Sequence, residues 1–171
     1  ADQRFGRVRA VSGAGLFAAP QDLRDLAVRY ALAVDSLDPA MLAGLFTAEG
    51  TLRGHGQAGV RYRGADGFAQ MIEQVRASFM KTMHNVFNQT YDRAEDGTVT
   101  GHVTGIASHI LPPDEGAADW TLLDFAMRYH DRYAREAGQW KFADRQLEVV
   151  WVETRKVGPF SPAMMGRDLR G

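Results

Sequence analysis

Three turn signals divide the second half of the chain and leave few folds open to it: Asp96-Gly97, Pro112-Pro113-Asp114-Glu115-Gly116 and Glu136-Ala137-Gly138. Between them lie four long segments, near 82–93, 98–111, 118–134 and 139–153, rich in β-branched and aromatic residues. Strands joined by connections this short must run antiparallel to their neighbours, so the half-chain reads as a meander.

The first half has a different period. After Pro20, the residues Leu23, Leu26, Ala27, Tyr30 and Val34 fall on one helical stripe, which predicts a first helix over 21–36. Asp38-Pro39 combines an N-cap with proline at the first helical position, so a second, short helix starts there and turns Met41, Leu42, Leu45 and Phe46 inward. The stretch 51–59, with Gly54, Gly56 and Gly59, reads as a short strand entering a loose turn, and Val60-Arg61-Tyr62 as a second extended piece. Helical spacing returns over 64–79 through Phe68, Met71, Ile72, Val75 and Phe79. Helices packed on one face of a strongly bent antiparallel sheet make an α+β architecture. Gly101, Gly105 and Ala107 leave one face of the second long strand bare, which is expected to permit bending and a hollow between sheet and first helix. Residues 1–19 read as an arm, 20–155 as the domain, and 156–171 as a tail able to fold over the pocket mouth.

At 171 residues, with 45% hydrophobic and 24% charged side chains, one globular domain with a proper core is expected. A net charge of −1 argues against nucleic acid and membrane surfaces as partners, and no apolar run is long enough to span a bilayer. A cytoplasmic protein is expected. The absence of cysteine removes disulfides, thiolate metal sites and cysteine nucleophiles. The five histidines show no metal-site spacing, and His55, His102 and His130 read as surface or structural groups.

The candidate chemistry centres on the run from Lys81 to Tyr91. Strict alternation places His84 on one face with Thr82, Val86 and Asn88, and Met83, Asn85, Phe87 and Tyr91 on the other. His84 is then either a proton carrier in a pocket or a histidine held by a structural hydrogen bond. Asp35 lies in the last turn of helix one, where the macrodipole disfavours a carboxylate, and borders the buried stripe. It reads either as an inward-facing partner or as a turn aspartate. Arg145 shares a strand face with Ala143, Leu147, Val149 and Trp151, so its guanidinium must be paired, with Asp124 or Glu148 as candidates, or must bind an anionic group of a ligand. His109 falls on the face of Val103, Ala107 and Leu111 and is a candidate second pocket histidine.

The runs Asp22–Leu26, Tyr30–Asp35 and Leu42–Thr47, the strand start Thr82-Met83-His84-Asn85, and Gly138–Phe142 together resemble the SnoaL-like branch of the nuclear-transport-factor-2-like cone-fold superfamily over residues 21–153. The resemblance implies a cone-shaped barrel: a strongly curved, mostly antiparallel sheet packed on three helices from the N-terminal half and enclosing a pocket. Members such as scytalone dehydratase, hexachlorocyclohexane dehydrochlorinase and bile acid 7α-dehydratase carry an aspartate late in helix one and a histidine on the first long strand, the positions of Asp35 and His84. It implies a cofactor-independent dehydratase-type lyase acting on a hydrophobic polycyclic or aromatic molecule, with Asp35 orienting His84 as base and acid. Tyr30 matches a substrate-polarising phenol, or is simply a core aromatic. Arg145, His109 and Trp151 would contact substrate, and a homodimer or homotrimer is implied. The alternatives are a non-catalytic binding or dimerisation module and a polyketide cyclase or ketosteroid-isomerase-like enzyme. A simple isomerase is disfavoured because Arg53-Gly54-His55-Gly56 lacks the expected aspartate.

Overall fold

The computed structural model describes residues 18–54, 61–113, 115–116 and 119–158. His55, most of the N-terminal arm and the tail beyond residue 158 lie outside the described residues. The elements are α1 (Gln21–Asp35), α2 (Pro39–Gly44), β1 (Phe46–Arg53), β2 (Arg61–Arg63), α3 (Gly64–Ser78), β3 (Lys81–Arg93), β4 (Val99–Ile110), β5 (Trp120–Glu136) and β6 (Gln139–Val157). Asp38 caps α2 as expected, its carboxylate accepting the Met41 N–H at 2.9 Å with Pro39 next to it. The first helix closes in a Schellman motif: Asp38 N–H donates to Ala33 O at 2.9 Å and Leu37 N–H to Val34 O at 3.1 Å. That stop makes Asp35 the last helical residue and forces Leu37 into the left-handed region, φ 53°.

The four long strands form the expected antiparallel meander, and the β5–β6 hairpin turns through Ala137 and Gly138, both at positive φ. The expected cone-shaped barrel is not formed. The strand order β2-β1-β6-β5-β4-β3 leaves β2 and β3 as unjoined edges, so the sheet is open rather than closed or strongly curled. It is also mixed, because β1 runs parallel to β6. Closure would need β3 to bond β2, which has three residues, and at His84 the outer edge of β3 is already taken: its N–H donates to the Asp35 carboxylate.

The glycines expected to open a hollow are instead places of close approach. A Cβ on Gly101 would sit 2.9 Å from the Tyr133 ring, and one on Gly105 would sit 2.4 Å from the Asn85 carbonyl. The helices cover one face, where Leu23, Leu26, Tyr30 and Val34 of α1 and Phe68 and Ile72 of α3 meet Phe46, Val103, Tyr129 and Phe142. On the helix-free face a cavity of about 550 Å³ opens beside Arg53, His102, His130 and Asp144.

Three extra residues in β3 and β6 break strict alternation within the meander. One extra residue in β3 between Val86 and Gln89 returns Tyr91 to the helix-covered face, where it is buried, and leaves Asn88 exposed, the reverse of the expectation. In β6, Ala143 is unpaired, so Phe142 and Arg145 both face inward, and Val150 is unpaired, so Trp151 turns outward opposite Ala126.

Candidate active site

Asp35 and His84 meet where the end of α1 crosses the edge of β3. His84 Nδ1 lies 2.7 Å from Asp35 Oδ1, and the His84 backbone N–H donates to Oδ2 at 2.8 Å. Thr82, two residues back on the same strand face, donates its hydroxyl to Oδ1 at 2.8 Å. With the carboxylate accepting at Nδ1, that nitrogen carries the proton and Nε2 presents a lone pair, which no described residue occupies. Burial alone would raise the Asp35 carboxyl, but the hydrogen bonds from His84 and Thr82 outweigh it and hold it below the usual range. The pair keeps partial solvent access: side-chain exposure is 10% for His84 and 24% for Asp35. This is the geometry of an Asp–His dyad.

Strand register supplies the surroundings. His84 lies in line with Ala107, Phe125 and Val152, and Thr82 with His109, Leu123 and Thr154. The His109 ring packs against Phe79, Phe125 and His84, with centroids 4.2, 5.1 and 5.3 Å away. Its Nδ1 donates to Ala107 O at 3.0 Å, which fixes the other nitrogen as an acceptor in the neutral ring. Burial first, and then neighbouring His84, lower its pKa from 6.5 to about 4. The unfolded chain therefore takes up this proton before the folded one does. Stability is expected to be complete above pH 6.5 and to be lost progressively as pH falls to about 4. Urea midpoints measured across that range should fall in the wild type, and His109→Phe should flatten the slope.

Arg145 and Tyr30 are not brought to the dyad. Arg145 is 1% exposed and six residues along the meander from the His84 rung, roughly 20 Å of strand. Its guanidinium carbon stands 4.1 Å from the Tyr129 ring centroid, 4.2 Å from that of Tyr30 and 4.6 Å from that of Phe142. Its acidic neighbour is Asp131, at 3.5 Å, not Asp124 or Glu148. Asp124 instead pairs with Arg155 at 2.9 Å, and Glu148 with His130 at 2.8 Å. Tyr133 donates to the other Asp131 oxygen at 2.9 Å. Burial raises the Asp131 carboxyl, and Arg145 opposes that shift. Burial likewise raises the Tyr30 phenol above its usual value. Trp151 is 62% exposed on the face opposite the dyad. The sequence reading did not assign a role to Thr82 or Phe125 and put Phe79 on the buried stripe of the third helix, whereas the helix ends at Ser78; alternation from His84 does identify Thr82.

A sequence model described as SnoaL-like domain matches residues 18–146, a span that includes both dyad residues. The chain belongs to the SnoaL-like domain family. Comparison with curated proteins returns no match. Solved structures share the fold. A type 2 hexachlorocyclohexane dehydrochlorinase (LinA) superposes with a TM-score of 0.68 at 22% identity, covering 83% of this chain and 92% of that one. LinA-type3 from Novosphingobium barchaimii gives 0.68 at 21%, with coverages of 83% and 93%. A candidate scytalone dehydratase from Novosphingobium aromaticivorans gives 0.65 at 19%, with 82% and 92%. In this SnoaL-like chain the dyad stands where the last residue of α1 meets the edge strand β3. Among the described residues no group of three His, Asp or Glu side chains is placed to share a metal ion, and no helix is long and apolar enough to cross a membrane.

Proposed function

We propose that the protein is a cofactor-independent lyase that eliminates water or halide from a hydrophobic cyclic molecule. The observation that carries this reading is the 2.7 Å contact from His84 Nδ1 to Asp35, which leaves Nε2 as a free base. Nε2 takes a proton from carbon, the C–H electron pair forms a double bond, and the neighbouring C–O or C–Cl bond breaks. Departing hydroxide takes the proton from the imidazolium and leaves as water, whereas chloride leaves alone and the imidazolium returns its proton to solvent. Asp35 stabilises the transient imidazolium and holds the ring orientation. Phe79, Phe125, Leu123 and Val152 give the dyad apolar surroundings suited to a ring system, and the acceptor nitrogen of neutral His109 takes a hydrogen bond from a substrate hydroxyl. Tyr30 and Arg145 act from below by fixing the core under α1.

Hydrophobic side chains exposed on the other sheet face, Met83, Phe87 and Trp151, support self-association as a dimer or trimer, which light scattering on Trp151→Glu would test. We place the protein in the cytoplasm.

A panel of β-hydroxy cyclic ketones and chlorinated cyclohexanes incubated in D2O tests the reaction. The expected result is elimination, with release of water or chloride, and exchange of one carbon-bound hydrogen. Compounds that bind beside His84 with neither elimination nor exchange would assign the domain to the binding-module class instead.

A further inference from the structure

The helix-free face carries a second concentration of titratable groups that the dyad does not use. Strand register builds it. One rung aligns Arg61, Arg53, Gln146, His130 and His102 across five strands, and the next aligns Thr51, Asp144, Arg132 and Thr100. All of these except Gln146, together with Gly101 and Asp131, line the cavity of about 550 Å³, a volume suited to a small-molecule ligand.

The charges on this surface are unbalanced. Asp144 is the acid within the two rungs, and its oxygens are already occupied: Oδ1 accepts Arg53 Nε at 3.1 Å and the Thr51 hydroxyl, and Oδ2 accepts Arg53 Nη2. Arg61 and Arg132 make no close ion pair among the described residues, Arg132 reaching Asp144 across the strands only through longer-range attraction, and both line the cavity. Arg61 stands directly opposite Arg53, and like charges facing each other across a strand pair are destabilising unless something between them carries the opposite sign. The imidazoles are ordered as well. His130 Nε2 lies 2.8 Å from Glu148 Oε2, and His130 Nδ1 lies 3.2 Å from His102 Nδ1. If Nε2 of His130 donates to the carboxylate, its Nδ1 accepts from His102, whose Nε2 then carries a lone pair and donates to an anion in the imidazolium form.

We propose that this groove is a binding site for a phosphate-bearing small molecule, held by Arg61, Arg132 and Arg53 with His102 at its side. Guanidinium groups arriving from three strands match a tetrahedral dianion better than a planar carboxylate, which one bidentate arginine satisfies. The site lies on the opposite face of the sheet from Asp35 and His84, so it stands or falls independently of the lyase reading.

The test is a titration of the folded chain with inorganic pyrophosphate, with succinate as the carboxylate comparison, following the five imidazole C–H resonances by NMR. The expected result is saturable movement of His102 and His130 with His84 and His109 still, and weakening by about tenfold in each of Arg61→Ala and Arg132→Ala. These two arginines are exposed, so both variants should fold, as unchanged urea midpoints would show. Absence of saturation, movement centred on His84, or wild-type affinity in both arginine variants would overturn the site. Succinate binding as tightly as pyrophosphate would overturn the assignment to phosphate.

Discussion

His84→Ala is expected to lower kcat/KM for elimination by about 10²–10⁴-fold, the range a positioned general base contributes, with the urea midpoint nearly unchanged. The ring stands on an edge strand and is not part of the buried core, so its loss removes few packing contacts. Asp35→Asn should approach the same loss by a different route. The amide keeps the shape, but it has one acceptor oxygen where the His84 and Thr82 donors now use both carboxylate oxygens; it cannot offset the imidazolium charge, and its NH2 can turn toward Nδ1 and reverse the tautomer. The Asp35→Asn defect should therefore fall in kcat more than in KM. Thr82→Val, which removes one of the donors to Asp35, should cost far less. Turnover retained in His84→Ala would remove the imidazole from the chemistry, whatever the fold.

Arg145→Ala should destabilise the protein by about 3–5 kcal/mol, measured as a shift in urea unfolding at pH 7. The substitution leaves Asp131, 4% exposed, without its cation, and opens a space among Tyr30, Tyr129 and Phe142. The arrangement already carries a cost: Arg145 Nε and Nη1 and Asp131 Oδ1 have no hydrogen-bond partner among the described residues. Arg145→Met combined with Asp131→Leu removes both charges and fills the space, and it should recover most of the loss, since an apolar replacement of a buried pair is often neutral. If Arg145 instead held substrate directly, Arg145→Ala would fold with near wild-type stability and show only a raised KM.

Much of the helical half was legible because its signals are local. Asp38-Pro39 states its own cap, and the stripe from Leu23 to Val34 needs no partner to be seen. The meander was legible from its turns for the same reason. Asp35 was half legible: the unfavourable place at a helix end raised the question, and only the contact with β3 answered it. The faces of the long strands were not legible beyond the first extra residue. Alternation from His84 holds for Thr82 and Val86 and then fails at Tyr91, and in β6 it fails for Trp151, because a bulge shifts every residue after it to the other face and leaves no residue-type signal of its own. Sheet closure was out of reach for a related reason. Whether two edges bond depends on the lengths and directions of strands far apart in sequence, and β2 proved short and β1 parallel to β6. The rungs that gather Arg53, Arg61, Arg132, His102 and His130 depend on that same long-range register, and the histidines among them looked like isolated surface groups.

The central claim is that Asp35 fixes the tautomer of the His84 imidazole, with the proton on Nδ1 and Nε2 bare. The most direct measurement is the 15N spectrum of the His84 ring at pH 8 in the wild type and in Asp35→Asn, which needs no substrate. The expected result is a protonated Nδ1 strongly hydrogen-bonded to the carboxylate and an unprotonated Nε2 in the wild type, with that tautomer lost in the variant. A proton on Nε2 in the wild type, or a spectrum unchanged by Asp35→Asn, would contradict the dyad.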